Sequence, residues 1–174
     1  MEELAHRDKL TGLENRTALE ECMKVIADEA RKSGKAISFL YLDLDGFKMV
    51  NDSYGHETGD LLLKTVANRM RKCLQDITGY IRFYRLGGDE FLVIYLPDFD
   101  QSIEETSISA NLILSSLNKT YHLEGKDITV GCSIGGAIWP QDDPDLFTVM
   151  RYADEALYVS KRSGKNRITF KSSI

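Results

Sequence analysis

The stretch YRLGGDEFLVIYL, residues 84–96, sets two apolar runs around Gly87, Gly88, Asp89 and Glu90. A turn between two strands explains the glycines, because only Gly takes positive φ without a steric penalty. It does not explain two adjacent carboxylates. Either the acids face water at a hairpin tip, or the tip holds a cation and lets a phosphate lie against bare backbone. A second acidic pair, Asp43 and Asp45 in YLDLDGFKMVND, stands where an apolar run ends and a polar loop begins. Ligands gather at such strand ends in open sheets with crossover helices. Hard cations such as Mg²⁺ take oxygen ligands, usually one or two carboxylates together with substrate phosphates. An isolated Asp-x-Asp more often hydrates a loop or caps a helix. Asp43 and Asp89 meet at one cation only if the strand ending at Asp43 lies beside the hairpin. Lys48, just past the loop, would then contact a phosphate.

Two further clusters bear chemistry. Asp60, in GHETGD, reads as the start of a helix, where the macrodipole favours an acid. As a ligand group it would suit guanine: a carboxylate offers acceptors only and complements the N1–H and exocyclic amino group, a donor pair that adenine lacks. Asn51 carries a donor and an acceptor and could read another edge. His56, alone between Gly55 and Glu57, reads as a loop hydrogen-bonding residue. Lys161 and Lys165, in SKRSGKNR, are i and i+4 on the last turn of a helix. They form either a solvated basic end, favoured by the dipole, or a charge source for a triphosphate.

These groups need a scaffold. NRTALEECMKVIADEARKSG places Leu19, Met23, Ile26 and Ala30 on one helical face and closes at Gly34. AISFLYLD reads as a buried strand ending at Asp43, and DGFKMVNDSYGHETGD as a polar connection with room for one short helix. DLLLKTVANRMRKCL is a helix with Leu62, Val66, Met70 and Cys73 inward. YIRFYRL and FLVIYL form the hairpin around the glycines. SIEETSISANLILSSLNKT is a third long helix. DITVGCSIGGAIW is a strand in which Gly135 and Gly136 mark a bulge or a close approach. A fourth long helix ends at Gly164 and NRITF is a last strand. The order α, β, α, β-hairpin, α, β, α, β predicts an α/β (α+β) fold, a central mixed sheet with helices on its faces.

The 174 residues suit one domain with a sizeable core. No linker rich in Pro, Gly or Ser divides the chain, so residues 8–174 read as one domain and 1–7 as the stump of a connection to something upstream. The net charge of −5 argues against a nucleic-acid binder. Cys22, Cys73 and Cys132 lie far apart with no metal spacing and predict reduced thiols in a reducing compartment. No apolar stretch approaches ~20 residues, so no membrane contact is predicted. The charged start MEELAHRDK lacks a signal-peptide core, which points to the cytosol.

Taken together, DKLTGLENR, DLDGFKMVND, GHETGD, RLGGDEF, CSIGGA and ADEALYVSKRSGKNR resemble, in order and across nearly the whole chain, the GGDEF domain of bacterial diguanylate cyclases. The resemblance implies a five-stranded sheet wrapped by helices, related to nucleotidyl cyclases and polymerase palms. It implies Asp43 and Asp89 as carboxylate ligands of Mg²⁺ or Mn²⁺, with the Leu44 carbonyl as a further ligand. Gly87 and Gly88 would let phosphates lie against the backbone, and Glu90 would assist metal binding or proton removal. Asn51 and Asp60 match the guanine readers; Lys48, Lys161 and Lys165 match the phosphate contacts; Phe47 and Phe91 match packing positions. The implied reaction joins two GTP molecules into cyclic di-GMP with release of pyrophosphate, across a transient homodimer, in a protein that usually carries a regulatory domain upstream. The alternative is a catalytically silent GGDEF domain that binds GTP as a sensor or serves as a scaffold. Four positions depart from the pattern. The inhibitory product site Arg-x-x-Asp is replaced by Thr78 and Ile81. Lys165 stands where Arg is commoner, keeping charge without the bidentate fork, and Glu14 stands where Pro is common.

Overall fold

The computed structural model describes residues 5–174. Residues 1–4 of the expected connecting stretch lie outside the described residues. From Ala5 onward the chain is tied down: Asn15 donates from Nδ2 to the Ala5 carbonyl and from its backbone to the His6 carbonyl, and Arg7 donates to the Gly12 carbonyl.

In chain order the elements are α1 (Arg16–Ser33), β1 (Ile37–Asp45), α2 (Phe47–Tyr54), α3 (His56–Cys73), β2 (Ile81–Gly87), β3 (Glu90–Tyr95), α4 (Ser102–Asn118), β4 (Tyr121–Leu123), β5 (Lys126–Ile128), β6 (Gly131–Trp139), α5 (Leu146–Arg162) and β7 (Ile168–Phe170). The five-stranded sheet has the order β2-β3-β1-β6-β7. Its pairs are antiparallel except β6 with β7, which is parallel, so the sheet is mixed as expected.

Local chemistry sets the ends of α1. The Asn15 side chain accepts from the Ala18 N–H at 3.0 Å, and Gly34 closes the helix in the left-handed region with φ 67. Its buried row contains Leu19, Met23, Ile26 and Ala30, as their spacing requires.

Side chains on a strand alternate between faces. On β1, Leu40, Leu42 and Leu44 join the α3 and α4 side chains Leu62, Val66, Met70 and Ile113 in one apolar cluster. Ile37 and Phe39 join Met23 and Ile26 of α1 and Val149 and Ala153 of α5 in the other. Burial on both faces explains why β1 reads as a continuous apolar run.

Four expectations are refined. No register shift marks Gly135–Gly136, so there is no bulge there. The reason for Gly135 is close approach: a Cβ would lie 2.0 Å from the Leu157 nitrogen of α5. The strand expected from Asp127 begins only at Gly131, because Lys126–Ile128 pairs with Tyr121–Leu123 in a separate hairpin. Its two turn residues, Glu124 and Gly125, both have positive φ, the signature of a type I′ turn that Glu-Gly signals less strongly than Asn-Gly. Finally, α3 starts at His56, four residues before Asp60. His56 is a helical residue and not a loop one, Glu57 is the acid of the first turn, and Asp60 does not cap the helix. Cys22, Cys73 and Cys132 are free thiols. No helix among the described residues is long and apolar enough to cross a membrane.

Candidate active site

The strand pairing brings the acids together. β1 lies beside the hairpin, with Asp43 opposite Glu90 on β3 and opposite Ser133 on β6. Asp43 continues the β1 row that faces α1 and α5, and its Oδ2 forms an ion pair with Lys161 in the last turn of α5. The β1–β3 pairing ends at Asp43, whereas β1 continues beside β6 to Asp45. Leu44 therefore has a partner on β6, Cys132, and none on β3.

At the hairpin tip Gly87 pairs with Glu90, which leaves Gly88 and Asp89 as the turn. Gly87 has φ 146, a conformation that suits glycine alone, and Gly88 has φ 49, in the left-handed region that glycine enters without a steric penalty. Nothing lies within 4 Å of where their side chains would be, so the tip backbone faces open space. A register shift between Arg85 and Gly87 leaves Leu86 unpaired, and such a bulge re-aims the turn that follows it. Asp89 is half-buried and Glu90 exposed.

The electrostatics are those of an acid pair short of positive charge. Burial first, then a hydrogen bond to Asp43 and the charge of Asp43, push the Asp89 carboxyl up to about 7, against the opposing effect of Lys161. Burial works to lower the Lys161 ammonium, but its hydrogen bond to Asp43 and the charges of Asp43, Asp89 and Glu90 outweigh that and leave it raised. Asp43 Oδ1 is buried with no hydrogen-bond partner. A buried carboxylate oxygen without a partner is costly, and a divalent cation would satisfy it. Among the described residues no three His, Cys, Asp or Glu side chains gather as a metal cluster. Two carboxylates are all-oxygen donors, which fit Mg²⁺ with substrate completing its shell and do not fit a closed zinc site.

Asp45, the other member of the acidic pair, is already engaged. Its Oδ1 accepts from Ser133 Oγ at 2.8 Å and its Oδ2 from the Asn166 N–H at 2.9 Å. It anchors the loop after α5 that carries Lys165. Lys165 itself is exposed, with φ 64 and its N–H donated to the Ser160 carbonyl at 3.0 Å. Lys48 is exposed on α2. Among the described residues no ion pair joins Lys48 or Lys165 to the acids. Asn51 and Asp60 are brought together where α2 meets α3. A Cβ on Gly59 would fall 1.8 Å from Asn51 Oδ1, so the second glycine of GHETGD is what lets the amide reach the turn that carries Asp60. Phe47 and Phe91 pack in the α3–α4 side of the core.

The family model described as "Diguanylate cyclase, GGDEF domain" matches residues 5–167. The chain belongs to the GGDEF domain family. It is 37% identical over 163 residues to diguanylate cyclase DosC of Escherichia coli, covering 92% of this chain and 34% of that protein. It is 36% identical over 170 residues to the cyclic di-GMP phosphodiesterase NbdA of Pseudomonas aeruginosa, covering 98% of this chain and 21% of NbdA. The GGDEF chain thus spans about a fifth to a third of these curated relatives. Among solved structures it resembles the GGDEF domain of TpbB (YfiN) from Pseudomonas aeruginosa, with a TM-score of 0.86, 30% identity and coverage of 95% and 94% of the two chains. It also resembles the GGDEF domain of DgcB from Caulobacter crescentus in complex with c-di-GMP, with a TM-score of 0.83, 30% identity and coverage of 97% and 96%.

One part of this GGDEF site was not legible as a site in the sequence. Arg85, just before the paired glycines, donates from Nε to the Gly88 carbonyl at 2.9 Å and from Nη1 to Asp8 at 3.0 and 3.2 Å. Asp8 in turn accepts from the N–H and hydroxyl of Thr11 at 2.8 and 2.7 Å. Backbone bonds from Glu14 to Phe83 and from Arg85 to Glu14 lay this N-terminal segment along the sheet edge at β2. The only sequence signal was Asp-x-x-Thr, a side-chain-closed turn. An open groove of 540 Å³, lined in part by Glu90, Asp154, Tyr158, Lys161 and Lys171, adjoins the acids.

Proposed function

We propose that this GGDEF chain is a diguanylate cyclase, in which the 3′-hydroxyl of one GTP attacks the α-phosphorus of another, pyrophosphate leaves, and a second round closes cyclic di-GMP. The observation that carries this reading is the convergence of Asp43, Asp89 and Lys161 at one end of the sheet, beside a glycine tip whose backbone is open. Asp43, Asp89 and the Leu44 carbonyl would hold Mg²⁺ or Mn²⁺, which when bound supplies positive charge at the reacting phosphate and helps to ionise the attacking hydroxyl. Gly87 and Gly88 admit the triphosphate against bare peptide groups. Lys161, with Lys165 and Lys48 at the rim, neutralises charge on the leaving pyrophosphate. Asn51 and Asp60 hold the guanine edge, and Asp60 selects it because adenine offers no donor pair. In this reading Glu90, which is exposed and opposite Asp43, assists metal binding or takes the proton of the attacking hydroxyl.

One chain carries one such set of residues and so holds one GTP. The reaction joins two, so a second copy must face the first, and activity per molecule rises with protein concentration. The deciding experiment is incubation with GTP and Mg²⁺ over a range of protein concentrations, with cyclic di-GMP measured by chromatography, for the wild type and Asp89→Asn. The wild type makes product with rising specific activity and Asp89→Asn makes none. The raised Asp89 carboxyl favours the fold most below its ordinary value and loses that advantage as pH rises through about 7. Metal-free Asp89→Asn is therefore at least as stable as the wild type at pH 8, which separates lost chemistry from lost structure. GTP binding without product at any concentration would instead make the chain a silent sensor or scaffold.

A further inference from the structure

The reading above gives Asp43 and Lys161 one ligand each, and the structure joins the two side chains to one another. Asp43 should hold the cation and Lys161 the triphosphate, yet Asp43 Oδ2 is ion-paired with Lys161 Nζ. The Asp43 side chain is only 12% exposed, whereas that of Lys161 is 38% exposed. The carboxylate is therefore fixed in the sheet, and the ammonium sits on a flexible four-carbon stem at the end of a helix. Asp43 Oδ1 has no partner, so one ammonium half-satisfies a group that offers more than one acceptor site.

Resting on that proposed function, we propose that Lys161 is an internal counter-ion that holds the cation's place on Asp43 until a triphosphate draws it away, so that metal and nucleotide bind this site cooperatively. The argument is one of exchanged partners. A metal binding alone must approach Asp43 against the ammonium or expel it. A triphosphate binding alone attracts Lys161 but leaves Asp43 and Asp89 without a cation, and a part-buried carboxylate stripped of its partner is strongly unfavourable. Bound together, each ligand replaces what the other removes: the metal takes Asp43 and the phosphates take Lys161. An ammonium suits this exchange because it is a compact point charge with three rotatable donors. Linkage makes the effect reciprocal, so nucleotide raises metal affinity by the factor by which metal raises nucleotide affinity.

The test is binding of Mn²⁺ to the whole chain, followed by electron paramagnetic resonance, without and with a non-hydrolysable GTP analogue. Wild type is compared with Lys161→Gln, with Lys161→Met, which keeps the apolar stem, and with Arg162→Gln. The last removes the same charge one residue away, where the guanidinium lies over the Tyr158 ring. Either Lys161 variant should bind Mn²⁺ alone about tenfold more tightly than wild type, a factor usual for coupled sites, and Arg162→Gln should change it by less than about twofold. The gain in Mn²⁺ affinity on adding the analogue should be large in wild type and shrink in both Lys161 variants. If the Lys161 variants bind Mn²⁺ no more tightly than Arg162→Gln, or keep the full gain, the exchange is refuted while the cyclase reading stands. If the wild type takes up no Mn²⁺ even with the analogue, the cyclase reading and this inference fall together.

Discussion

Replacing Asp8 by alanine removes a carboxylate that lies well outside the reacting groups yet ties the hairpin tip to the N-terminal segment. Asp8 accepts two bonds from Thr11 and two from Arg85, and Asp8 and Arg85 are only 19% and 15% exposed. Hydrogen bonds to a charged group contribute about 1.5–3 kcal/mol net, and they are not additive. The loss also strands the Arg85 guanidinium, although residual exposure lets water reach it. We therefore expect destabilisation of roughly 2–3 kcal/mol, which for a domain of this size lowers Tm by about 5–10 °C. Calorimetry at pH 7 measures it. The pH dependence is a second check. Burial alone would raise the Asp8 carboxyl, but the Thr11 bonds and then Arg85 outweigh burial and hold it below its ordinary value of 3.8. The stabilisation is thus complete above the ordinary carboxylate range and lost as pH falls through the depressed value. The gap between wild type and Asp8→Ala narrows on acidification from pH 5 to pH 3. An unchanged Tm at pH 7, or a gap that stays constant with pH, refutes the clamp.

Three other outcomes are expected. Gly135→Ala places a methyl group 2.0 Å from the Leu157 nitrogen and 2.3 Å from the Ala153 carbonyl oxygen, backbone atoms of α5 that cannot rotate aside. It should destabilise by about 1–3 kcal/mol, and a urea midpoint equal to that of wild type would contradict this close packing. Asp60→Ser should reduce GTP use and narrow the discrimination against ATP, since a site built to pair polar groups rejects the wrong base by leaving them unpaired; competition kinetics with both nucleotides measure this, and an intact preference would leave Asp60 without a role in base choice. With Thr78 and Ile81 in place of the Arg and Asp, added cyclic di-GMP should not inhibit through that site. Product titration by calorimetry with the nucleotide site blocked checks it, and tight binding there would reveal another product site.

Much of this protein was written in local patterns. The 3.6-residue row of Leu19, Met23, Ile26 and Ala30 and the Asn15 and Gly34 ends specify α1 without reference to the rest of the chain. The paired glycines specify a hairpin, because no other residue takes their φ values freely. Asp43, Asp89, Asn51, Asp60 and Lys161 stand in ordered motifs, so the family was legible before any contact was known. Elsewhere the local signal is weak. Glu124-Gly125 is a turn pair of modest preference, and its small hairpin was missed. GHET has the polar look of a loop, although it forms the first turn of α3.

Which groups share a space is set by the packing of segments distant in sequence. That Asp43 lies opposite Glu90 follows from β1 pairing with the hairpin, a contact between residues far apart in sequence that no local periodicity encodes. Asp43 and Asp45 look alike in the sequence, yet the β6 strand and the loop after α5 satisfy both oxygens of Asp45 and leave one of Asp43 without a partner. Arg85 reads as an ordinary strand residue until the N-terminal segment folds back along β2 and sets Asp8 beside it. The Lys161–Asp43 pair depends on α5 lying close against the sheet at Gly135, which sets where the last turn of the helix ends. Side-chain identity and short-range spacing are properties of the chain. Desolvation and charge pairing are properties of the space between its segments, and they arise only once those segments have packed.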